Sequence, residues 1–479
     1  MIDRRHFIIG GTAAAAALSA PGGLRAAAAG PSIDVVVIGA GLSGLYAAHL
    51  LEENGARVAI VEGRRRIGGR ILTLDDVPGH PEGGGNGIGA GYARVIDSAN
   101  KSGVKLVPVR QRTETTQSET VINLGGTNIS LKEWPTSPLN PFPEGRRDKL
   151  PWAYAFDRYI KANPLKEGDL WTEPQFAKYD ISLYDFMKQQ GESEAAIDLA
   201  LGTAMLYGTN PYDFSVLALF HTLAWGAQQM QFGREAFAVD GGNQRLPEAM
   251  AKRLKGPINT GGILRAIATD ASGVTVTTIE GKQIRAKAAI VTIPFTALRS
   301  VRFDPVLPAI QAEAVDLLGY STAFQAHFVA DKPFWEADGL PVNMWTDGPA
   351  GRFAALHYGE DPKQITSFLS FVNGAQGERL DRMAPESATA EILDFLATVR
   401  PSTRGALRAV KTLSWQRDPF SGGIYSAWKP GQITRYASTI AAPHGNIFFA
   451  GEHTAMLNRG MEGAMESGER AAGEVLGRI

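Results

Sequence analysis

At 479 residues the chain is too long for one simple core, and its length suggests about two or three domains. Its 48 basic and 49 acidic residues nearly cancel, so nothing in the charge points to nucleic acid or to a charged membrane surface. Cysteine is absent, which rules out disulfides, thiol catalysis, cysteine metal sites and any cofactor attached through sulfur.

The first 30 residues stand apart from the fold. Arg4-Arg5-His6-Phe7-Ile8, then an alanine-rich stretch to Ala20, Pro21 and the run 26–29, read as a twin-arginine export signal with an A-x-A cleavage site. The apolar run is too short to span a bilayer, so the expected location is the bacterial periplasm, with no membrane partner. Residues 34–62 then form the unit around which the rest is organised. The β-branched run Val35-Val36-Val37-Ile38 suits a strand buried on both faces of a parallel sheet. Gly39-Ala40-Gly41-Leu42-Ser43-Gly44 follows. In a dinucleotide fold the first such glycine permits the tight turn, the second lets a pyrophosphate approach the backbone, and the third lets helix and strand pack closely. A helix over 45–54 aims its N-terminal amides at that pyrophosphate, and Gly55 stops it. A second strand over 58–61 delivers Glu62, 18 positions after Gly44, where a carboxylate can accept both ribose hydroxyls and disfavours a 2′-phosphate.

Next comes Gly63-Arg64-Arg65-Arg66-Ile67-Gly68-Gly69-Arg70, in which the arginines can reach a diphosphate. A G-x-G-x-x-G unit ending in E-x-R and G-G-R resembles the FAD-binding N-terminus of the flavin-containing amine oxidases, the family of monoamine, polyamine and L-amino-acid oxidases. Later segments resemble that family in its order. Glu82-Gly83-Gly84-Gly85-Asn86-Gly87-Ile88-Gly89 is similar to its D-L-G-G loop, whose glycines let backbone lie against the flavin. Gly241-Gly242-Asn243-Gln244-Arg245-Leu246 is similar to its G-G-x-Q-R-L, and the strands expected over 262–268, 274–278 and 288–293 would set Ile263 or Leu264 against the adenine. Gly422-Gly423-Ile424-Tyr425, Phe448-Phe449-Ala450-Gly451-Glu452-His453-Thr454 and Gly460-Met461-Glu462-Gly463-Ala464 resemble its closing motifs, with the Met461 backbone as donor to the reduced flavin ring.

The resemblance implies an α/β fold: a discontinuous Rossmann-like FAD-binding domain over 31–108, 235–294 and 420–479, with an inserted α+β substrate domain over 109–234 and 295–419. Amphipathic helical patterns over 183–190 and 193–206 and the aromatic run 214–225 belong to the insert, and its aromatics read as core. Phe324-Gln325-Ala326-His327-Phe328 alternates as a strand covering a cavity, which Phe334-Trp335 would close.

The activity implied is oxidation of an amine C–N bond by hydride transfer to FAD, with dioxygen or another redox acceptor taking the electrons. The substrate is a small amine or an L-amino acid, and a homodimer is compatible with the reading. Three departures matter. Ile424 stands where monoamine oxidases carry the flavin-linking cysteine, so FAD should be held non-covalently. Tyr425 matches one wall of the family's aromatic cage, but Gly460 stands where the other would be. Arg459 beside it is a candidate partner for a substrate carboxylate, or for an internal acid. The family's lysine near the flavin falls at Ser300 or Gln325 by two different spacings, which keeps a dehydrogenase in view. The glycine loop carries no arginine, which favours an amine, while Arg94 just beyond it keeps the amino-acid reading open. A carotenoid-desaturase type of enzyme and a flavin carrier without turnover are the other classes to separate.

Overall fold

The computed structural model describes residues 33–109, 120–166, 171–202, 210–359, 361 and 363–479, and Ile33–Ile479 forms one compact unit. The export signal expected over 1–30 lies outside the described residues. Two large sheets carry the architecture. The first has the strand order Ile258–Thr260, Val58–Glu62, Ile33–Ile38, Gln283–Val291, Gly273–Thr278, Leu264–Asp270 and Arg302–Asp304, and Ile447–Phe449 also pairs with Gln283–Val291. Its nucleotide-turn half is parallel, and the two strands that follow Gln283–Val291 across the sheet run antiparallel.

The β-branched run Val35 to Ile38 is buried on both sides because successive side chains point to opposite faces. Val35 and Val37 join a cluster with Leu45, Ala48, Met465 and Ala472, from the helices Leu42–Glu53 and Gly460–Leu476. Val36 and Ile38 join a different cluster on the far face. The two helices cross closely: a Cβ on Gly468 would run into the carbonyl of Ser43, so only glycine fits there. The first helix begins at Leu42 rather than at 45, since Leu45 N–H already bonds to the Gly41 carbonyl and the glycine string is itself the first turn.

The second sheet runs Leu407–Ser414, Ala323–Ala330, Ser367–Asn373, Arg352–Leu356, Asn343–Thr346, Thr120–Leu124 and Thr127–Ile129. Its back face is an apolar layer of Phe324, Phe328, Phe353 and Phe368 against Leu380, Ile392 and Leu396 of two covering helices. Phe334 belongs to this layer, with its ring 5.3 Å from that of Phe368, and Trp335 stands 5.7 Å from the same ring. The expectation that Phe334-Trp335 closes a cavity is therefore corrected, because strand alternation puts Phe324, Phe328, Phe353 and Phe368, the rings it packs with, on the side away from Gln325. Three helices between 183 and 229 start on serine caps: Ser182 Oγ accepts from Asp185 N–H, Ser193 Oγ from Ala196 N–H and Ser215 Oγ from Leu217 N–H. Trp134, Tyr154, Tyr159, Phe214 and Phe220 are buried among themselves, as core.

Candidate active site

The glycine turn opens at the C-terminal ends of the parallel strands. Gly39 has φ +109°, a conformation closed to most side chains, and Cβ atoms on Gly39 and Gly44 would meet Thr292 and the Gly39 carbonyl. Gly41 differs, since a Cβ there would find only the Gly69 Cα, at 4.0 Å, and a Cβ on Gly69 would stand 3.3 Å from Gly41. The first and third glycines thus serve packing, while the second faces Gly69 across a narrow gap. Glu62, 4% exposed, ends the neighbouring strand. Its two oxygens accept from Ala40 N–H and Arg64 N–H, each at 2.8 Å, which fixes the carboxylate beside the turn and leaves lone pairs free on both. Ile263 lies where the strand pairing brings residues 260–262 alongside Glu62, and its carbonyl accepts from Ile279 N–H; Leu264 opens the next strand.

Distant segments close over this turn. Arg70 Nη1 donates to the Ile424 carbonyl at 2.7 Å, so the G-G-R loop is tied to the stretch that carries Tyr425. Gly63 packs against the Phe420 ring, which leaves no room for a side chain. Arg64 bonds to Asp418 at 2.8 Å and to Ser421 Oγ at 2.7 Å, so part of its fork is spent on protein. Gly451 N–H donates to Ser467 Oγ, and Ser467 Oγ lies 3.3 Å from Ser43 Oγ beneath the turn. Glu452 accepts from Ser426 N–H and Oγ and lies within 4 Å of both Arg70 and Arg459. His453 is buried beside Arg70, and burial pulls its imidazole down to about 3, so it stays neutral.

The helix Gly460–Leu476 begins on this side, with Arg459 as N-cap residue and no side-chain cap. The amides of Gly460, Met461 and Glu462 therefore have no partner inside the helix. Glu462 itself turns away to accept from Arg94 and Val95. Met461 is 8% exposed, and its sulfur stands 3.5 Å from where a Cβ on Gly85 would be, so the helix start and the glycine loop touch. Gly84 is pinned between the Arg70 carbonyl and Trp415, while Asn86 is exposed at the loop tip. Gly460 has φ +57° and no neighbour within 4 Å of its Cβ position.

The second sheet meets the same loop. Gln325, 5% exposed, donates to the Gly83 carbonyl at 3.0 Å, and Trp415 Nε1 donates to that oxygen at 2.9 Å. Across the sheet Gln325 stands opposite Phe371, Phe371 opposite Arg352, Arg352 opposite Trp345 and Trp345 opposite Ile122, which puts all five on one face. Gln325 thus hydrogen-bonds the glycine loop from this sheet, and its cross-strand neighbour Leu413 packs against Gly83. Ser300 is not: it is exposed at a helix end, with its Oγ on the Ala297 carbonyl. Spacing forward from Pro294 fails because a short helix and the edge strand Arg302–Asp304 intervene before the second sheet begins. Arg94 is corrected as a substrate group, since its guanidinium is committed to Glu462 at 3.1 Å and Glu469 at 2.6 Å. Arg459 is 8% exposed with Glu452 as its nearest carboxylate, which matches the internal-acid alternative. Phe371 and Arg352 give no signal in the sequence, because only strand register brings them to this face, and Trp415, just past the end of its strand, is placed by its bond to Gly83.

Among the described residues no cluster of histidine and carboxylate groups could hold a metal ion, and no helix is long and apolar enough to cross a membrane. The chain is 26% identical to "Amine oxidase [flavin-containing] B" of Homo sapiens, over 92% of this chain and 86% of that protein. It is 29% identical to "Putative flavin-containing monoamine oxidase AofH" of Mycobacterium tuberculosis, over 93% and 96%. Among solved structures, putrescine oxidase bound to putrescine superposes with a TM-score of 0.76 at 23% identity, covering 93% of this chain and 99% of that one. Cyclohexylamine oxidase from Brevibacterium oxydans superposes at 0.75 and 21%, covering 93% and 99%. Both share the fold. The family of flavin-containing amine oxidoreductases matches residues 42–476, from the helix that follows the first strand to the closing helix, and the chain belongs to that family of enzymes.

Proposed function

We propose that the protein binds FAD non-covalently and oxidises the C–N bond of an amine. The observation that carries this is the meeting of three features at one place: the close approach of the Gly41 and Gly69 backbones, the uncapped helix start at Met461, and the loop that Gln325 holds at Gly83. The residues present fit the nucleotide. Glu62 has lone pairs for the ribose, the Gly41 and Gly69 backbones offer a diphosphate a surface free of side chains, and the helix start offers amides and a positive dipole end to the ring. Gly39, Ser43, Gly44, Gly63, Gly84, Gly85 and Gly451 shape the walls, and Arg64 and Arg70 supply nearby positive charge. Non-covalent attachment rests on Ile424, since no cysteine exists to form a link.

The bound flavin supplies a two-electron acceptor for the C–H bond beside nitrogen, and dioxygen takes those electrons on to give hydrogen peroxide. The chain's own residues orient the amine and exclude water. Tyr425, half-buried, and Phe371 present aromatic faces, and the open side at Gly460 leaves space for a bulkier amine. His453 stays neutral, so it adds no charge that would repel an ammonium group on entry. Gln325 fixes the loop rather than moving a proton, because its amide does not titrate.

Anaerobic addition of primary and secondary amines to the purified yellow protein should bleach the flavin, and air should restore it with release of peroxide. Absence of bleaching by any amine or amino acid would sink the reading. Acid precipitation should leave the flavin in the supernatant.

A further inference from the structure

The five residues in register across the second sheet are not covered alike. At one end Gln325 is buried under the Gly83 carbonyl. At the other, Trp345 and Ile122 are buried against the helical insert, with the Trp345 ring 5.8 Å from that of Trp152. Between them Phe371 is only half-buried and Arg352 is exposed. A sheet covered on both flanks and open in the middle encloses space.

Arg352 stands in the middle of this face, between Phe371 and Trp345. Its side chain has accessible area, yet desolvation by surrounding protein pulls the guanidinium below the usual arginine range, while the Tyr425 phenol acts in the opposite sense. Both statements hold together when the accessible surface looks into a cavity shared with Tyr425 rather than into bulk water. The guanidinium lies over the Phe371 ring, 5.2 Å from its centre, which fixes its orientation. Strand spacing puts its Cα about 10 Å from that of Gln325, two strands away.

Five other enclosed arginines have an acid, and Arg66, Arg147 and Arg299 donate instead to backbone carbonyls. Arg64 has Asp418, Arg94 has Glu462, Arg400 has Asp338, and Arg70 and Arg459 share Glu452. Among the described residues no carboxylate lies within 4 Å of Arg352, whereas Lys411 and Arg408, also on this face, are paired with Asp76 and Asp331. A desolvated cation without a counterion is costly, and a bound anion offsets that cost.

We propose that Arg352 is a specificity-determining residue that pairs with a carboxylate of the substrate, so that the amine oxidised in this cavity belongs to an amino acid. The proposal rests on the amine-oxidising reading for its reaction, but not for its binding step. The amino group is oxidised as the neutral amine, and the carboxylate keeps its charge throughout and accepts from the planar fork of Arg352.

The test separates binding from turnover. Calorimetric titration of the holoprotein with 3-phenylpropionate, which carries no amine, and with 3-phenylpropan-1-ol, its neutral counterpart, should show the acid binding about 10- to 100-fold more tightly. In Arg352→Met that preference should fall to within about twofold, and Arg352→Lys should keep part of it. Circular dichroism and flavin content check that both variants fold. Equal affinity for acid and alcohol, or a preference unchanged in Arg352→Met, overturns the proposal. Anaerobic bleaching by L-phenylalanine and by phenethylamine completes the test. Bleaching without an Arg352-dependent acid preference removes the anchor and leaves amine oxidation standing. An Arg352-dependent preference without any bleaching removes amine oxidation and leaves the anchor.

Discussion

The two sheets hold their sites by different means. Around the first, the walls are backbone: Gly39, Gly44, Gly63, Gly84 and Gly468 sit where a single added carbon would collide with a neighbour. Around the second, the walls are side chains, and the row from Gln325 to Trp345 owes its character to which residues strand register sets side by side. A site made of backbone tolerates almost no substitution, whereas a site made of side chains can change its ligand while keeping its fold. The shared nucleotide grip and the variable substrate pocket of one architecture follow from that contrast.

The largest expected effect tests the first half of it. In Gly44→Val the new side chain would meet the Gly39 carbonyl and Thr292, and the purified protein should come out colourless, with flavin content reduced more than about 100-fold. A yellow Gly44→Val would break the comparison. Glu62→Gln keeps the shape but replaces one acceptor oxygen by a donor facing the Ala40 or Arg64 amide, so FAD should be retained about 10- to 100-fold less tightly in equilibrium dialysis.

These first-sheet features were legible in the sequence because steric demand selects glycine and burial selects an unbroken β-branched run. Helix and strand positions followed, with the first helix placed three residues late because the glycine string already forms its opening turn. The substrate side was legible only in part. Gln325 was reached by counting back from Phe334-Trp335 along one uninterrupted strand and a short turn, whereas counting forward to Ser300 crossed two other elements. Phe371 and Arg352 gave no local signal, since the pairing that aligns them joins strands from separate stretches of chain.

Acidity sharpens the comparison next. Burial pulls His327, on the second sheet, down to about 4 and His453, in the loop that follows the Ile447–Phe449 strand of the first, down to about 3, against an ordinary 6.5. The folded state therefore resists protons that the unfolded chain accepts. The histidines' contribution to stability is fully present above about pH 6.5 and drains away as the pH falls toward the folded-state values. Each should cost about 2 kcal/mol between pH 6.5 and 5, read as a shift in the urea midpoint, and His327→Leu should remove its share. An unchanged midpoint across that range would refute the assignment. The smallest expected effect is Gln325→Ala, which leaves Trp415 as the side-chain donor to the Gly83 carbonyl and should cost about 1 kcal/mol of stability while FAD stays bound. Loss of flavin from that variant would mean that the second sheet also carries the nucleotide.

Arg64 and Asp418 are separated by 354 positions, and their ion pair closes the wall beside Glu62. As the polypeptide leaves the ribosome, the glycine turn emerges early, and its lid arrives only with the final stretch. Cofactor capture must then wait for translation to finish, and chains released short of Asp418 should be unable to retain it, however well their earlier portions fold.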